Sequence, residues 1–270
     1  MNTLKKTTLA LFVAFLTAVA LNACGNSNES ANAAGSTWET IEKTGVLSVG
    51  TEGNYSPYTY HDSNGRLVGY DVELAEAIGE KLGLEVKFVE GKWDGLIAGL
   101  DAKQYDVIVN EVGISDERKE KYLFSEPYSY AYAVAVTRDD YDQIKSFEDL
   151  KDKDAAQSTT SNFGKLTESY GAKIVPVSGF SEGIQLVLDG RVDVTVNDNM
   201  TYLDFKKQQS DAKVKIAAQA SEASESAVLI RKDDEELQEN IDKALKELAS
   251  EGKIAELSEK YFGEDISQPK

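Results

Sequence analysis

The stretch GLIAGLDAKQYDVIVNE (95–111) occurs a second time in altered form, as GIQLVLDGRVDVTVND (183–198). The two segments align when one residue is deleted from the first. Each contains a glycine, an apolar helical face, an aspartate with a short turn, and then Asp-Val-x-Val-Asn followed by an acid. This pattern predicts a helix followed by a buried strand in both places. We therefore expect two similar α/β lobes.

The order of predicted elements supports the same division, because a β-α-β-α-β run in the first half is repeated in the second. Asp71 is placed to cap the first of these helices. Near the C-terminus, Leu237, Ile241, Leu245 and Leu248 have the spacing of one buried helix face. The predicted strands are 45–51, 84–90, 105–111, 154–158, 172–178, 191–198, 214–219 and 227–232, and the predicted helices are 71–83, 93–103, 160–171, 181–190, 234–252 and 254–262.

The N-terminus has the features of an export signal. Lys5 and Lys6 precede the apolar segment TTLALFVAFLTAVALNA, which is too short for a stable membrane span. The sequence LNAC then ends in Cys24, the only cysteine, and resembles a bacterial lipobox, although Asn22 is less usual there. We expect a signal peptide at 1–23 and acylation of Cys24, for example by palmitate. Residues 24–37 are expected to form a flexible, lipid-anchored tether outside the cytoplasm.

Composition and charge exclude several classes of function. Removing Lys5 and Lys6 with the signal leaves 27 basic residues against 47 acidic ones, a formal charge of −20. This balance argues against binding to nucleic acid or to an acidic membrane surface through basic patches. The single histidine, His61, lies in a predicted hairpin, and with one cysteine the chain lacks the ligands for a zinc site. It also lacks the partners for Ser-His or Cys-His catalysis, and we expect no cofactor, metal or enzymatic activity.

Ligands of open α/β lobes bind outside the carboxyl ends of the strands. Asn110 and Glu111 end one predicted strand and Asp198 ends its counterpart, so these residues are expected to face one crevice. Arg118 follows shortly after the first strand. An arginine on one side and an aspartate on the other suit a free amino acid, whose carboxylate and ammonium need opposite charges held apart. Joining them only through the ligand would couple binding to lobe closure.

Other residues of the predicted crevice have structural alternatives. Thr159 and Thr160 precede a helix and are candidates to bind a carboxylate, although N-capping is the commoner role. Tyr55 and Trp93 are candidates to wall the site with flat apolar surface, with core packing as the alternative. For Tyr58 core packing is favoured. Glu52 follows the first strand and is either a ligand contact or a solvated loop acid.

Five segments carry a resemblance to a known family. The chain resembles extracellular solute-binding proteins of family 3, receptors for polar amino acids that serve ABC importers, over residues 44–267. The segments that carry this resemblance are VGTEGNYSPYTYHDSNGRLVGYDVELAEAIGEKLG (49–83), ISDERKEKYLFSEPY (114–128), AQSTTSNFG (156–164), GRVDVTVND (190–198) and KYFGED (260–265).

The resemblance implies a fold and a partner. The fold is α/β and two-lobed, like the type II periplasmic binding proteins, with a mostly parallel sheet in each lobe and two hinge crossings near 130–134 and 224–228. Lobe 1 would comprise 38–132 and 227–267, and lobe 2 would comprise 133–226. The implied protein is a monomer that works with the permease subunits of an ABC importer.

The resemblance also implies roles for individual residues. Arg118 would hold the α-carboxylate of the ligand and Asp198 its α-ammonium, while Thr159 and Thr160 add hydrogen bonds. The pocket would be lined and its side-chain preference set by Glu52, Tyr55, Trp93, Asn110, Glu111 and Gly113.

Within the family, the segments TEGNYSPYTYHD and AQSTTSNFG look most like those of the L-cystine-binding subgroup. Glu111 departs from that subgroup, in which an amide is expected. An added acid suits a ligand with a distal amine, which cystine has and which a basic amino acid also has. Glutamine, arginine and histidine therefore stay open as ligands. An enzyme like the cyclohexadienyl dehydratases is the alternative outside the class, but it should need more cations than Arg118.

Overall fold

The computed structural model describes residues 36–269. The predicted signal peptide, most of the predicted tether and Cys24 lie outside the described residues. Among the helices of the described part, none is both long and apolar enough to cross a membrane.

Helices and strands alternate along the described chain. The strands are β1 (Val46–Thr51), β2 (Asn54–Tyr55), β3 (Thr59–His61), β4 (Leu67–Val68), β5 (Glu85–Glu90), β6 (Val107–Ile108), β7 (Tyr122–Phe124), β8 (Ser129–Arg138), β9 (Asp154–Gln157), β10 (Lys173–Pro176), β11 (Val194–Asp198), β12 (Val214–Ser226) and β13 (Leu229–Arg231). The α-helices are α1 (Thr37–Thr44), α2 (Tyr70–Leu82), α3 (Trp93–Asp101), α4 (Asp116–Lys121), α5 (Asn162–Ser169), α6 (Phe180–Leu188), α7 (Asn199–Gln208), α8 (Glu235–Ser250) and α9 (Lys253–Phe262).

Two five-stranded sheets share one topology. Their spatial orders are β5-β1-β6-β13-β7 and β10-β9-β11-β8-β12. In each sheet the first three strands are parallel, and the fourth is antiparallel to both of its neighbours. Four of the five strands in each sheet therefore point the same way. The elements around the first sheet are called the first lobe, and those around the second sheet the second lobe. This confirms the predicted two-lobed α/β fold with mostly parallel sheets.

The repeated sequence segments occupy equivalent places in these sheets. The first supplies α3 and β6, the second supplies α6 and β11, and β6 and β11 are both the third strand of their sheets. The strand predicted over 105–111 is shorter than expected, because only Val107–Ile108 is paired as a strand. Glu111 has a left-handed backbone, with φ of 49°, which turns the chain away from the extended direction.

The chain passes between the two sheets twice. It leaves β7 of the first sheet at Phe124 and enters β8 of the second at Ser129, and it returns between Ser226 and Leu229. The first four residues of β8 pair with the last four of β12 as a two-stranded ribbon. The two hinge segments expected from the sequence, 130–134 and 224–228, overlap this ribbon.

Helix α2 differs from the prediction at its N-terminus. The helix starts at Tyr70 after an N-cap at Gly69, which has no side-chain cap hydrogen bond. The expected cap, Asp71, instead lies in the first turn and is fully buried. Its carboxyl group accepts a hydrogen bond from the backbone N–H of Glu111. The Asp71 side chain therefore bonds to a residue 40 positions later in the chain and does not cap α2.

Tyr105 explains two glycines of the first lobe. A Cβ atom added to Gly50 in β1 or to Gly99 in α3 would overlap the Tyr105 side chain. The Tyr105 hydroxyl donates to the backbone carbonyl of Leu96. The missing side chains thus let the ring pack between helix and sheet, where any larger residue would have to displace it.

The C-terminal helix α8 buries one face on the first lobe, as its spacing predicts. Leu237, Ile241, Leu245 and Leu248 are all buried in one cluster with Leu74 of α2. Burial of this stripe ties the C-terminal segment to the first half of the chain, since hydrophobic burial is the main favourable term in folding.

We expect Leu237→Ala to lower the free energy of unfolding by about 2–5 kcal/mol, because Leu237 has no exposed surface and its loss leaves a cavity. Leu203→Ala is the matched control, since Leu203 is half exposed and its loss should change stability by less than about 0.5 kcal/mol. Urea unfolding of both variants measures the difference. Equal effects would contradict the packing of α8 described here.

Candidate ligand-binding cleft

A cleft of about 840 Å³, open to solvent, lies between the two lobes. It lies at the carboxyl ends of the parallel strands of both sheets, where ligands of open α/β lobes are expected to bind. Glu52 follows β1, Asn110 follows β6, Gln157 ends β9, and Ser178 follows β10. The cleft is lined by Glu52, Asn54, Tyr55, Trp93, Asn110 and Glu111 of the first lobe and by Ala156, Gln157, Ser158, Ser161, Asn162, Phe163, Val177, Ser178, Gly179, Phe180, Ser181, Glu182, Thr195, Val196 and Asn197 of the second.

The residues expected at the site divide into two groups. Five of them, all in the first lobe, form part of the cleft wall: Glu52, Tyr55, Trp93, Asn110 and Glu111. The other five lie behind the wall or beside it and are Gly113, Arg118, Thr159, Thr160 and Asp198.

Arg118 is buried at the junction of the lobes, with 6% of its surface exposed. Its NH1 group donates to the carbonyl of Gly113 at 2.7 Å, and its NH2 group donates to the carbonyl of Thr160 at 3.3 Å. The guanidinium lies 5.3 Å from the ring centroid of Trp93, a cation–π distance. Among the described residues no carboxylate is ion-paired with it. These bonds use two of its five N–H groups.

Thr160 links the lobes by a second contact. Its hydroxyl donates to Asp94 Oδ1 of α3 at 2.6 Å, while its carbonyl accepts from Arg118. Helix α5 begins later than predicted, after an N-cap at Ser161 whose hydroxyl accepts from the N–H of Gly164. Thr159 and Thr160 therefore precede the cap, and both are exposed.

Asp198 is buried at the start of α7 and accepts four hydrogen bonds. The Tyr58 hydroxyl and the backbone N–H of Thr201 donate to Oδ1 at 3.0 and 2.7 Å. The Tyr55 hydroxyl and the Thr201 hydroxyl donate to Oδ2 at 2.6 and 2.7 Å. Each carboxylate oxygen offers two acceptor sites, so all four are in use. Tyr58 is fully buried, as its favoured interpretation predicts, but its hydroxyl also reaches the other lobe.

The lobes are also joined by polar contacts away from the cleft wall. Ser56 donates to Asp204 of α7 at 2.8 Å, and Lys165 of α5 pairs with Glu117 of α4. With the contacts of Arg118 and Asp198, these hold the two sides of the cleft against each other. Surface pairs such as Lys165 with Glu117 contribute little by themselves, so the buried bonds to Asp198 dominate this contact.

Glu52 and Asn110 fix each other on the first-lobe wall. The Glu52 backbone N–H donates to Asn110 Oδ1 at 2.8 Å, and Asn110 Nδ2 donates back to Glu52 Oε2 at 2.8 Å. Burial raises the pKa of Glu52 to about 7, and the hydrogen bond from Asn110 only partly opposes this. Glu52 is half-buried. Because its pKa is raised to about 7, its carboxyl group can change its charge near neutral pH.

Glu111 carries a second carboxyl group into the cleft. Both of its carboxyl oxygens lie within hydrogen-bonding distance of the Ser129 hydroxyl, at 2.7 and 2.8 Å. Burial raises the pKa of Glu111 well above its usual range, and the carboxyl groups of Asp71 and Asp198 raise it further. No group of three or more His, Cys, Asp or Glu side chains within residues 36–269 is arranged to hold a metal ion.

Most of the second-lobe wall consists of residues that were not predicted from the sequence. Asn162 and Phe163 begin α5, and Phe180 and Ser181 begin α6 after an uncapped Gly179. These helices follow β9 and β10, whose carboxyl ends open on the cleft. The rule applied to Asn110 would have selected them as well, since it holds for every parallel strand of a lobe.

Known proteins resemble this chain over nearly its whole length. The L-cystine-binding protein TcyA of Bacillus subtilis (strain 168) is 44% identical over 269 residues, or 98% of this chain and 100% of TcyA. The L-cystine solute receptor of Neisseria gonorrhoeae, solved in the unliganded open conformation, is 43% identical with a TM-score of 0.59, covering 87% of this chain and 100% of the receptor. An ancestral arginine-binding protein bound to arginine is 38% identical with a TM-score of 0.76, covering 81% and 99%.

These matches agree with the two-lobed architecture. The TM-score is lower against the open receptor, although its sequence is closer than that of the arginine-bound protein. A difference in lobe arrangement fits that order, because the two lobes touch here at Asp198 and Arg118. Residues 47–264 match the family as a whole. The chain belongs to the bacterial extracellular solute-binding proteins, family 3.

Proposed function

We propose that this protein is a lipid-anchored receptor outside the cytoplasm that captures L-cystine between its lobes and delivers it to an ABC importer. It binds its ligand and carries out no reaction. The observation that carries the proposal is the buried guanidinium of Arg118, which has no carboxylate partner among the described residues. A buried charge needs a counter-charge, and a ligand carboxylate supplies it.

The charges of the cleft suit a ligand with two amino-acid heads. Arg118 and the uncapped N-terminus of α6 at Phe180 favour carboxylates, since free backbone N–H groups point out of a helix start. Glu52 and Glu111 are the acids of the first-lobe wall and favour ammonium groups. L-Cystine has two of each group, whereas arginine and lysine have a single carboxylate. The names of TcyA and of the gonococcal receptor point to the same ligand.

In this proposal Arg118 holds the first α-carboxylate and Asp198 the α-ammonium. Since the four acceptor sites of Asp198 are in use, an ammonium there must displace the Tyr55 or Tyr58 hydroxyl. Tyr55 is the better candidate, because it lines the cleft. The remaining proposed contacts are Thr159 and Thr160 for hydrogen bonds and Glu52, Trp93, Asn110, Glu111 and Gly113 for the side chain.

A basic amino acid is the second candidate ligand. Glu111 would pair with its distal cation, and the solved relative that is bound to arginine has the same overall arrangement. A basic amino acid brings no second carboxylate to the N-terminus of α6, whose first turn contains the acid Glu182. L-Cystine brings one and therefore ranks first.

We expect L-cystine to raise the thermal midpoint of the soluble chain from Ser36 onward, in a scan against it and the twenty standard amino acids. Ligand that binds only the native state stabilises it by about 2.7 kcal/mol at 100 times its dissociation constant. Copurified ligand is first removed by unfolding and refolding. A response to arginine or lysine alone would replace L-cystine with a basic ligand, and no response to any of them would contradict the receptor proposal.

Arg118→Ala should weaken binding of that ligand by at least about 100-fold, because charged hydrogen bonds to the carboxylate are lost in a buried site. Arg191→Ala is the matched control, since Arg191 is exposed in the second lobe. Calorimetry gives the affinities, and circular dichroism checks the fold. Near-normal affinity in Arg118→Ala would remove Arg118 from the site.

The proposed lipid anchor at Cys24 is supported by the sequence of the N-terminus. In cells that make the full precursor, Cys24→Ala should abolish labelling by a fatty-acid analogue and move the protein from the membrane fraction to the soluble one. The neighbouring substitution Asn26→Ala should change neither. A Cys24→Ala protein that stays labelled and membrane-bound would contradict lipid anchoring at this residue.

A further inference from the structure

The Glu111 backbone is hydrogen-bonded to the buried side chain of Asp71, while the Glu111 side chain lines the cleft. The left-handed backbone at Glu111 turns its N–H toward Asp71, and it donates to Asp71 Oδ2 at 2.5 Å. The same N–H lies 3.2 Å from the Tyr128 hydroxyl. The Glu111 carboxyl group meets Ser129 on β8. Glu111 is therefore held by the hinge ribbon on one side and by α2 on the other.

The surroundings of this pair contain acids and phenols. Facing it are the Asp198 carboxylate at the start of α7 and the hydroxyl groups of Ser129 and Ser226 at the hinge. Four phenols face it as well: Tyr55, Tyr58, Tyr70 and Tyr128. Among residues 36–269, no Lys, Arg or His side chain is ion-paired or hydrogen-bonded to Glu111, Asp71 or Asp198.

Three acidic side chains without a cation cannot all be ionised in a buried place, since each negative charge disfavours the next. Burial raises the pKa of Asp71 to about 8. Hydrogen bonds from the Glu111 N–H and the Tyr128 hydroxyl oppose this rise, and the Asp198 carboxylate adds to it. Asp71 Oδ1 is buried without a hydrogen-bond partner in the described chain. Burial without a cation thus favours the protonated form of both Asp71 and Glu111.

Only one member of the group is open to a ligand. Glu111 lines the cleft, whereas Asp71 has no exposed surface and Asp198 is nearly enclosed. The Ser129 and Ser226 hydroxyls occupy part of the Glu111 carboxylate, which leaves room for a further donor. An ammonium group in the cleft would supply the positive charge that the surrounding residues lack.

We propose that the receptor exchanges a proton for the second ammonium group of its ligand at Glu111, so that binding releases a proton to solvent. The Glu111 carboxyl O–H loses its proton to solvent, and the Glu111 carboxylate that remains pairs with the ammonium. This rests on the proposed function, because it requires a ligand with two cationic groups. Affinity then rises with pH as long as the ligand ammonium keeps its own proton.

The test is calorimetric titration of the soluble chain with L-cystine at pH 6, 7 and 8, each in two buffers with different ionisation enthalpies. The difference in heat between buffers counts the protons released. We expect about half to one proton at pH 7, and by linkage an affinity gain of about three- to tenfold per pH unit. Binding with no proton release at any of the three pH values would overturn the proposal.

Glu111→Gln keeps the shape of the side chain and an acceptor for Ser129. It should release fewer protons than the wild type, and its affinity should change less with pH, because only the contribution of Glu52 remains. Glu239→Gln is the matched control, because Glu239 is exposed on α8, away from the cleft, and the substitution makes the same chemical change. A Glu111→Gln protein that binds and releases as many protons as the control would also overturn the proposal.

The pH dependence of the thermal midpoint without ligand provides a second test in case Glu111→Gln folds poorly and binding cannot be compared. A carboxyl group with a raised pKa in the folded state stabilises the fold below its unfolded pKa, and this contribution is lost as pH rises toward its folded pKa. The thermal midpoint of the refolded wild type should therefore fall between pH 5 and pH 8, and that of Glu111→Gln should fall less. Equal slopes would place the retained proton elsewhere and refute the role of the pair.

These outcomes separate the two proposals. L-Cystine binding without proton release leaves the receptor function intact and removes only the exchange. If a basic amino acid binds instead, the same titration is done with it, since it also carries two cationic groups. If only amino acids with neutral side chains bind, the exchange at Glu111 is refuted together with the choice of L-cystine.

Discussion

A ligand that carries both signs of charge has to be held by groups that do not neutralise each other first. In a chain with 47 acids, Arg118 is buried against two carbonyl oxygens and an aromatic ring, and among the described residues it pairs with no carboxylate. Carbonyl oxygens orient the guanidinium without cancelling its charge. The separation of this cation from the acids of the cleft is the constraint on which the site depends.

The chain crosses between the two lobes twice, and the residues of the site are divided between those lobes. Arg118 and Glu111 belong to the first lobe, and Thr160 and Asp198 belong to the second. Bonds from Tyr55 and Tyr58 to Asp198 therefore form only when the lobes meet. The ribbon of β8 and β12 that joins the lobes carries Ser129 and Ser226 next to Glu111, so the acid of the cleft wall is attached to the connection between the lobes.

The acids in and behind the cleft share one environment. Glu52 and Glu111 are half-buried and Asp71 is fully buried, and burial raises the pKa of all three, that of Glu52 to about 7. Desolvation favours the neutral form of each of them, and a ligand cation favours the ionised form. The charge of these carboxyl groups therefore depends both on their burial and on whether a ligand cation lies beside them.

The sequence alone determined the repeated order of helices and strands, the buried face of α8, and the placement of Glu52, Asn110 and Glu111 on the cleft wall. These follow from periodicity and from strand ends, which are local properties of the chain. Only the tertiary structure decided that Asp71 accepts a hydrogen bond from the Glu111 N–H and does not cap α2. The same holds for the bond from Tyr58 to Asp198 and for the opposite wall of the cleft, which α5 and α6 supply. The partners concerned are 40 to 140 residues apart. No local pattern encodes such contacts, because they depend on how elements distant in sequence pack together, within one lobe for Asp71 and between the lobes for Tyr58.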